Sequence, residues 1–149
     1  MNFKVLNAKE VKNILKLLKN QFGYTGKLPY IFLKTKKNKL YIITKDITNL
    51  KNLNIISKGL YFGLLYNNSL RLSIEGSQLI GPKSKKNIIE LTKEAMLKWM
   101  RGQDLETTYS YNGFVILKYK DDYLGCGKCK NKKILNYVPK PRRISLNSY

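Results

Sequence analysis

Apolar residues recur at helical spacing near the start of the chain. Val11, Ile14, Leu15, Leu18 and Phe22 fall on one face of a helix. Asn7 with Glu10 has the spacing of a capping box, with Asn in place of Ser or Thr, and Gly23 suits a left-handed stop. Strand patterns follow. Tyr30–Leu33 and Leu40–Ile43, separated by Lys36–Lys39, read as a hairpin. Leu50–Ile56 is ambiguous, and residues 59–66 read as a buried strand broken by Gly63. A turn at Asn67-Asn68 comes next. Ser73 is placed to cap a short helix over Ile74–Ile80, with Glu75 near its positive end.

Gly81-Pro82-Lys83-Ser84 is the clearest break in the pattern. It divides the chain into an expected first unit, residues 1–81, and a second, residues 82–149. In the second, Ile88, Leu91, Thr92, Ala95 and Trp99 predict an amphipathic helix ending at Arg101-Gly102, with Glu94 and Lys98 as an i,i+4 pair. The period then changes to strands: Phe114–Tyr119, another from Tyr123 after a turn at Asp121-Asp122, and a third over Ile134–Val138. Pro139 and Pro141 stop any central strand beyond it.

Charge changes this picture from a fold to a partner. Twenty-nine Lys and Arg face nine Asp and Glu, a formal net charge of +20. Residues 1–81 hold 14 basic and 3 acidic residues, and residues 82–149 hold 15 and 6. Self-repulsion of that size points to a polyanion, and nucleic acid is the usual one for a basic domain. An anionic membrane surface is the rival, and an AT-rich genome favouring Lys, Asn and Ile codons is a third explanation. On the first helix, Lys9, Lys12, Lys16 and Lys19 form a stripe that suits a solvated face, an RNA contact or a membrane surface. No apolar stretch is long enough to span a membrane, and the start Met1-Asn2-Phe3-Lys4 lacks the apolar core of a signal peptide. With two cysteines, this predicts a cytoplasmic protein. Histidine is absent, which removes the commonest general base and metal ligand. No cofactor is expected.

Residues 118–143 concentrate the signal. Lys118, Lys120, Lys128, Lys130, Lys132, Lys133, Lys140, Arg142 and Arg143 interleave with Tyr119, Tyr123 and Tyr137. Cations neutralise phosphates and aromatic faces stack on unpaired bases. Gly125 and Gly127 leave bare backbone for close approach, or serve the fold. The alternative is an edge hairpin with solvated lysines and core tyrosines. Trp99 lies on the apolar face of its helix and reads as core. Cys126 and Cys129 form a C-x-x-C. Half a zinc site, a redox pair with thiols activated by Lys128 and Lys130, and plain strand residues are the three readings. A zinc set would need ligands from a second chain, and a redox pair normally begins a helix.

Residues 113–143, GFVILKYKDDYLGCGKCKNKKILNYVPKPRR, resemble the C-terminal RNA-binding region of Sun-family RNA cytosine-5 methyltransferases of the small-subunit rRNA type. Leu124, Gly125, Gly127 and Lys128 match the family's Leu-Gly-x-Gly-Lys. Leu135, Asn136, Pro139, Lys140 and Arg143 match its Leu-Lys-Asn-x-x-Pro-Lys-x-x-Arg. The Lys before Asn136 is missing. Lys133 offers that charge from a different strand face. The resemblance implies an α+β chain: a small α/β pre-PUA unit followed by a PUA-like mixed β-barrel. It implies binding of structured rRNA or tRNA, in aid of RNA modification or ribosome assembly in trans. The methyltransferase domain has no counterpart here, so RNA binding carries over and methyl transfer does not.

The expected RNA contacts are Lys118, Lys128, Lys130, Lys133, Tyr137, Lys140, Arg142 and Arg143, with Gly125 and Gly127 as points of backbone approach. The expected partners are RNA and an RNA methyltransferase or ribosome-assembly factor. A second hypothesis is a protein-binding adaptor subunit of such a complex. A free-standing enzyme is disfavoured by the lack of His and of paired acids around a pocket signature.

Overall fold

The computed structural model describes residues 2–45 and 59–145. The ambiguous segment Leu50–Ile56 lies outside them. The chain is α+β, with two five-stranded sheets.

The first sheet is an antiparallel meander of β1 (Phe3–Val5), β2 (Tyr30–Thr35), β3 (Lys39–Thr44), β4 (Leu60–Leu65) and β5 (Leu70–Leu72), in that spatial order. Helix α1 (Ala8–Phe22) packs against it through Ile14, Leu18 and Phe22. The Asn7 side chain accepts from the Glu10 amide at 2.9 Å, and the Glu10 carboxylate accepts from the Asn7 amide at 3.1 Å. Gly23 ends the helix at φ 62°, as the pattern predicts. Lys9, Lys12, Lys16 and Lys19 are all exposed. Gln21, on the same helix, is buried. Its side-chain amide donates to the Leu70 carbonyl at 2.9 Å and accepts from the Leu70 amide at 2.7 Å. A helix side chain thus takes the place of a neighbouring strand at the edge of β5, where unpaired backbone would otherwise be buried.

Gly63 does not break β4. The strand runs through it with a register shift against β3, Leu40 pairing Gly63 while Tyr41 pairs Tyr61. A Cβ at Gly63 would lie 2.5 Å from the Arg71 carbonyl, so glycine lets β5 close in. Ser73 caps α2 (Ile74–Ile80), its hydroxyl accepting from the Gly76 amide at 2.8 Å. The Gly81–Lys83 segment forms a 3-10 turn, and the Tyr123 ring lies against Gly81 where a Cβ would come within 2.2 Å.

The second sheet has the order β6 (Ile88–Glu90), β8 (Gly113–Tyr119), β9 (Asp122–Lys130), β10 (Lys133–Leu135), β7 (Leu105–Glu106). It curls into a half-barrel consistent with a PUA-like fold. Only β6 and β8 among these pairs run parallel.

The helix expected from Ile88 begins later. Ile88–Glu90 is strand β6, and α3 runs from Lys93 to Met100. Two causes act together, one local and one tertiary. Asn87 has φ 57°, which starts no helix, and branched Ile88 and Ile89 suit the ladder with β8. Thr92, read as part of the apolar face, is the N-cap, accepting from the Ala95 amide at 3.1 Å. The third strand is also shorter than Ile134–Val138, because Asn136 turns away to bond elsewhere.

One buried cluster contains Leu18, Phe22, Phe32 and Phe62 from the first sheet side with Phe114, Ile116 and Cys126 from the second. A second cluster, around Trp99, fills the half-barrel with Val115, Leu117, Cys129, Ile134 and Val138.

Candidate nucleic-acid interface

β9 and β10 meet in a hairpin whose two turn residues, Asn131 at φ 52° and Lys132 at φ 61°, take the primed-turn conformation that matches strand twist. Its register pairs Lys130 with Lys133 and Lys128 with Leu135. Strand alternation therefore puts Lys128, Lys130, Lys133 and Leu135 on one face. Ile134 and Cys129, on the other face, are buried against Trp99. Lys130 and Lys133 are exposed and Lys128 is half-buried, its ammonium 4.9 Å from the Phe114 ring centre. Among the described residues the ion pairs are Lys4–Glu10, Lys98–Glu94 and Arg142–Glu75, so these three lysines carry no carboxylate partner.

Phe114 connects this face to the first sheet. Tyr66, just past β4, and Tyr137, just past β10, both contact its ring, with centroids 5.4 and 6.5 Å away. Arg71 of β5 bridges the two tyrosines. Its guanidinium lies 4.2 Å over the Tyr137 ring, and its Nη1 donates to the Tyr66 hydroxyl at 3.4 Å. Tyr66, Arg71 and Phe114 were not among the sequence candidates. Arg71 lies on the first sheet and Tyr66 just past its fourth strand, distant along the chain from the basic segment, and only the packing of the two sheets brings them together.

The remaining candidates divide. Lys140 is exposed, and the Lys118 ammonium sits 5.4 Å from the Tyr123 ring, on a separate part of the sheet. Arg142 is engaged: its Nη1 donates to both Glu75 carboxylate oxygens at 2.9 Å. Arg143 Nε donates to the Val138 carbonyl at 3.0 Å, and its side chain crosses Gly102, where φ is 89° and a Cβ would lie 2.4 Å from that nitrogen. Both arginines therefore tie the C-terminal segment to the fold.

The glycines also have fold roles. Gly127 is covered by protein, since a Cβ there would lie 2.7 Å from the Trp99 ring and 2.6 Å from Ile134. That corrects the expectation of backbone approach at Gly127: the space a phosphate would need holds tryptophan. Gly125, at φ 111°, sits where the β8–β9 register shifts between Ile116 and Lys118. It lines a narrow cleft of about 120 Å³ with Tyr61, Arg71, Glu75, Trp99 and Tyr137.

Asn136, a motif residue with no role assigned from sequence, closes the end of α3. Its side-chain amide donates to the Trp99 and Gln103 carbonyls at 2.9 Å each, and its oxygen accepts from the Val138 amide at 2.7 Å. One side chain thus ties the end of α3 and the turn after it to the segment that follows β10.

Cys126 and Cys129 lie three residues apart on one strand, so they face opposite sides of the sheet. Cys126 is in the shared core and Cys129 in the half-barrel core. Burial pushes the Cys126 thiol up to about 12 and raises Cys129 as well. This opposes the redox reading, which needs thiols activated by Lys128 and Lys130, and favours plain strand residues, because desolvation acts on the thiols. No group of three or more metal-ligating side chains occurs among the described residues. Both thiols should resist alkylation in the native protein at pH 8 and react on unfolding. An unfolded cysteine ionises around its ordinary 9.0, while folded Cys126 keeps its proton to about 12. Its contribution to stability should therefore fall as pH rises through that window, by about 1.4 kcal/mol per unit. Chemical denaturation of C126A across the same range should show a shallower decline.

Among the described residues no helix is long and apolar enough to cross a membrane. No curated protein matches the chain significantly. Residues 86–144 match the family described as the methyltransferase RsmF PUA domain, in agreement with the likeness of residues 113–143 to the PUA-like region of Sun-family methyltransferases.

Proposed function

We propose that the protein binds structured RNA, rRNA or tRNA, and assists RNA modification or ribosome assembly in trans from the cytoplasm. Residues 1–81 would serve as a pre-PUA unit and residues 82–149 as the PUA unit. The observation that carries the reading is the β9–β10 face. Three lysines without carboxylate partners stand on one rigid hairpin, in a segment that matches a PUA family. PUA domains are RNA-binding modules, and a duplex or stem meets such a face by its phosphates and shape more than by base edges.

In this reading Lys128, Lys130, Lys133 and Lys140 contact phosphate directly. Lys118 extends the basic surface along β8. Tyr137 supplies an aromatic face, and Arg142 and Arg143 hold the C-terminal segment in position. An RNA methyltransferase or an assembly factor is the natural protein partner, since the family model that matches is a methyltransferase's appended domain.

The test is binding of the purified protein to tRNA, rRNA fragments and an unrelated duplex across a salt series. A preference for one structured RNA is expected, with log K falling by roughly 0.7–0.9 per log unit of salt for each phosphate contacted. Equal, weak binding to every polyanion would reduce the +20 charge to a sticky surface and sink the proposal.

A further inference from the structure

Phe114 is 4 % exposed, but the two tyrosines packed on it are not covered: Tyr66 is 41 % and Tyr137 36 % exposed. Two large rings left in water, bridged by a guanidinium and flanked by Lys128, are more than core packing requires. A flat ring paired with a guanidinium is a surface on which a nucleobase stacks, since every base has a π-face. Behind this group runs the 120 Å³ cleft, its floor apolar through Leu72, Ile74 and Val138. Its wall carries one carboxylate, Glu75, held by Arg142. Arg142 already neutralises it, so it is the apolar lining that disfavours a phosphate, while the carboxylate's remaining lone pairs can accept an N–H from the edge of a base. The neutral base therefore belongs inside, and the phosphates outside on Lys128 and Lys140.

We infer that Tyr66, Arg71 and Tyr137 form a stacking site for one unpaired RNA nucleotide, with its base edge directed to Glu75. The inference rests on the RNA-binding reading and sharpens it in two ways. It adds single-stranded recognition to phosphate binding, and it makes the first sheet part of the RNA surface, because Tyr66 and Arg71 come from there.

The experiment compares an RNA hairpin bearing an unpaired loop with a blunt duplex of equal length, by fluorescence anisotropy. Y137A should weaken hairpin binding about 5- to 100-fold, the range for loss of one stacked base, and weaken duplex binding far less. Y137F should bind as wild type. A scan of abasic substitutions through the loop, read with the wild-type protein, needs no altered fold. One position should reproduce the loss, and Y137A should add nothing to it. The same pattern is expected for Y66A. Unchanged hairpin affinity in Y137A, equal loss on hairpin and duplex, or the absence of any sensitive loop position would overturn the stacking site and leave the RNA-binding reading standing. Failure of the wild-type protein to bind either RNA would remove both.

Discussion

The triple variant K128E/K130E/K133E is expected to lose about 10²–10³-fold in affinity for structured RNA at 0.1 M salt, while keeping its fold. The size follows from counterion release. Each phosphate contact contributes roughly 0.7–0.9 log unit of affinity per tenfold drop in salt, so three contacts contribute two to three log units between 1 M and 0.1 M. The salt slope itself should shrink by about 2–3. Retention of the fold is expected because Lys130 and Lys133 are exposed, none of the three holds an ion pair, and half-buried Lys128 gives up one cation–π contact with Phe114, about 0.5–1 kcal/mol. Surface substitutions of this kind usually change stability by less than about 0.5 kcal/mol each. A folded triple variant with the wild-type slope would move the interface off the β9–β10 hairpin. The exposed lysines of α1 would then be the next place to look.

Trp99→Ala should cost about 3–5 kcal/mol, the largest single loss in the half-barrel. Trp99 is fully buried, its indole nitrogen donates to the Leu124 carbonyl at 2.9 Å, and its ring lies across Gly127. Removing it opens a cavity between α3 and β9 and leaves the Leu124 carbonyl without that donor. For a chain of this size the midpoint of thermal unfolding should fall by about 10 °C or more, followed by circular dichroism because the variant lacks the protein's one tryptophan. Gly127→Ala probes the same contact from the other side, forcing a methyl to within 2.7 Å of the ring. A loss under about 1 kcal/mol in both variants would mean that Trp99 is not the keystone of the half-barrel.

The contrast between the two variants reflects the division of the hairpin. Near the hairpin turn, one face of β9 and β10 is spent on the half-barrel core and the other carries the lysines, whereas further along β9 that second face buries Cys126 in the shared core. Arg142 and Arg143 show what residue type alone leaves open. In sequence they look like the strongest phosphate ligands of the basic run. In the fold Arg142 Nη1 is bonded to Glu75 and Arg143 Nε to the Val138 carbonyl, so each side chain is also held in place by the protein. Their substitution therefore tests the anchoring of the C-terminal segment as much as any RNA contact.

Local chemistry was enough to place much of the chain. The α1 cap and stop, the β2–β3 hairpin, the Ser73 cap and the buried Trp99 all follow from side chains a few residues apart, and the structure has each of them. The +20 charge, spread over both halves of the chain, and the dense basic run of residues 118–143 were equally legible, because charge needs no fold to be counted. The motif around Leu124–Arg143 likewise pointed to the PUA-like half-barrel. Tertiary structure decided what depends on partners far along the chain. Ile88–Glu90 became a strand because β8 lay beside it, overriding a helical period. Gln21 became a substitute strand partner for Leu70, 49 residues away. Gly127 closed against an indole, two cysteines spaced for a metal or redox pair were sent to opposite cores, and Tyr66 and Arg71 joined Tyr137 across the sheets. Caps and periods are set by neighbours in sequence, whereas burial, register and the sharing of a surface are set by whatever the folded chain brings alongside.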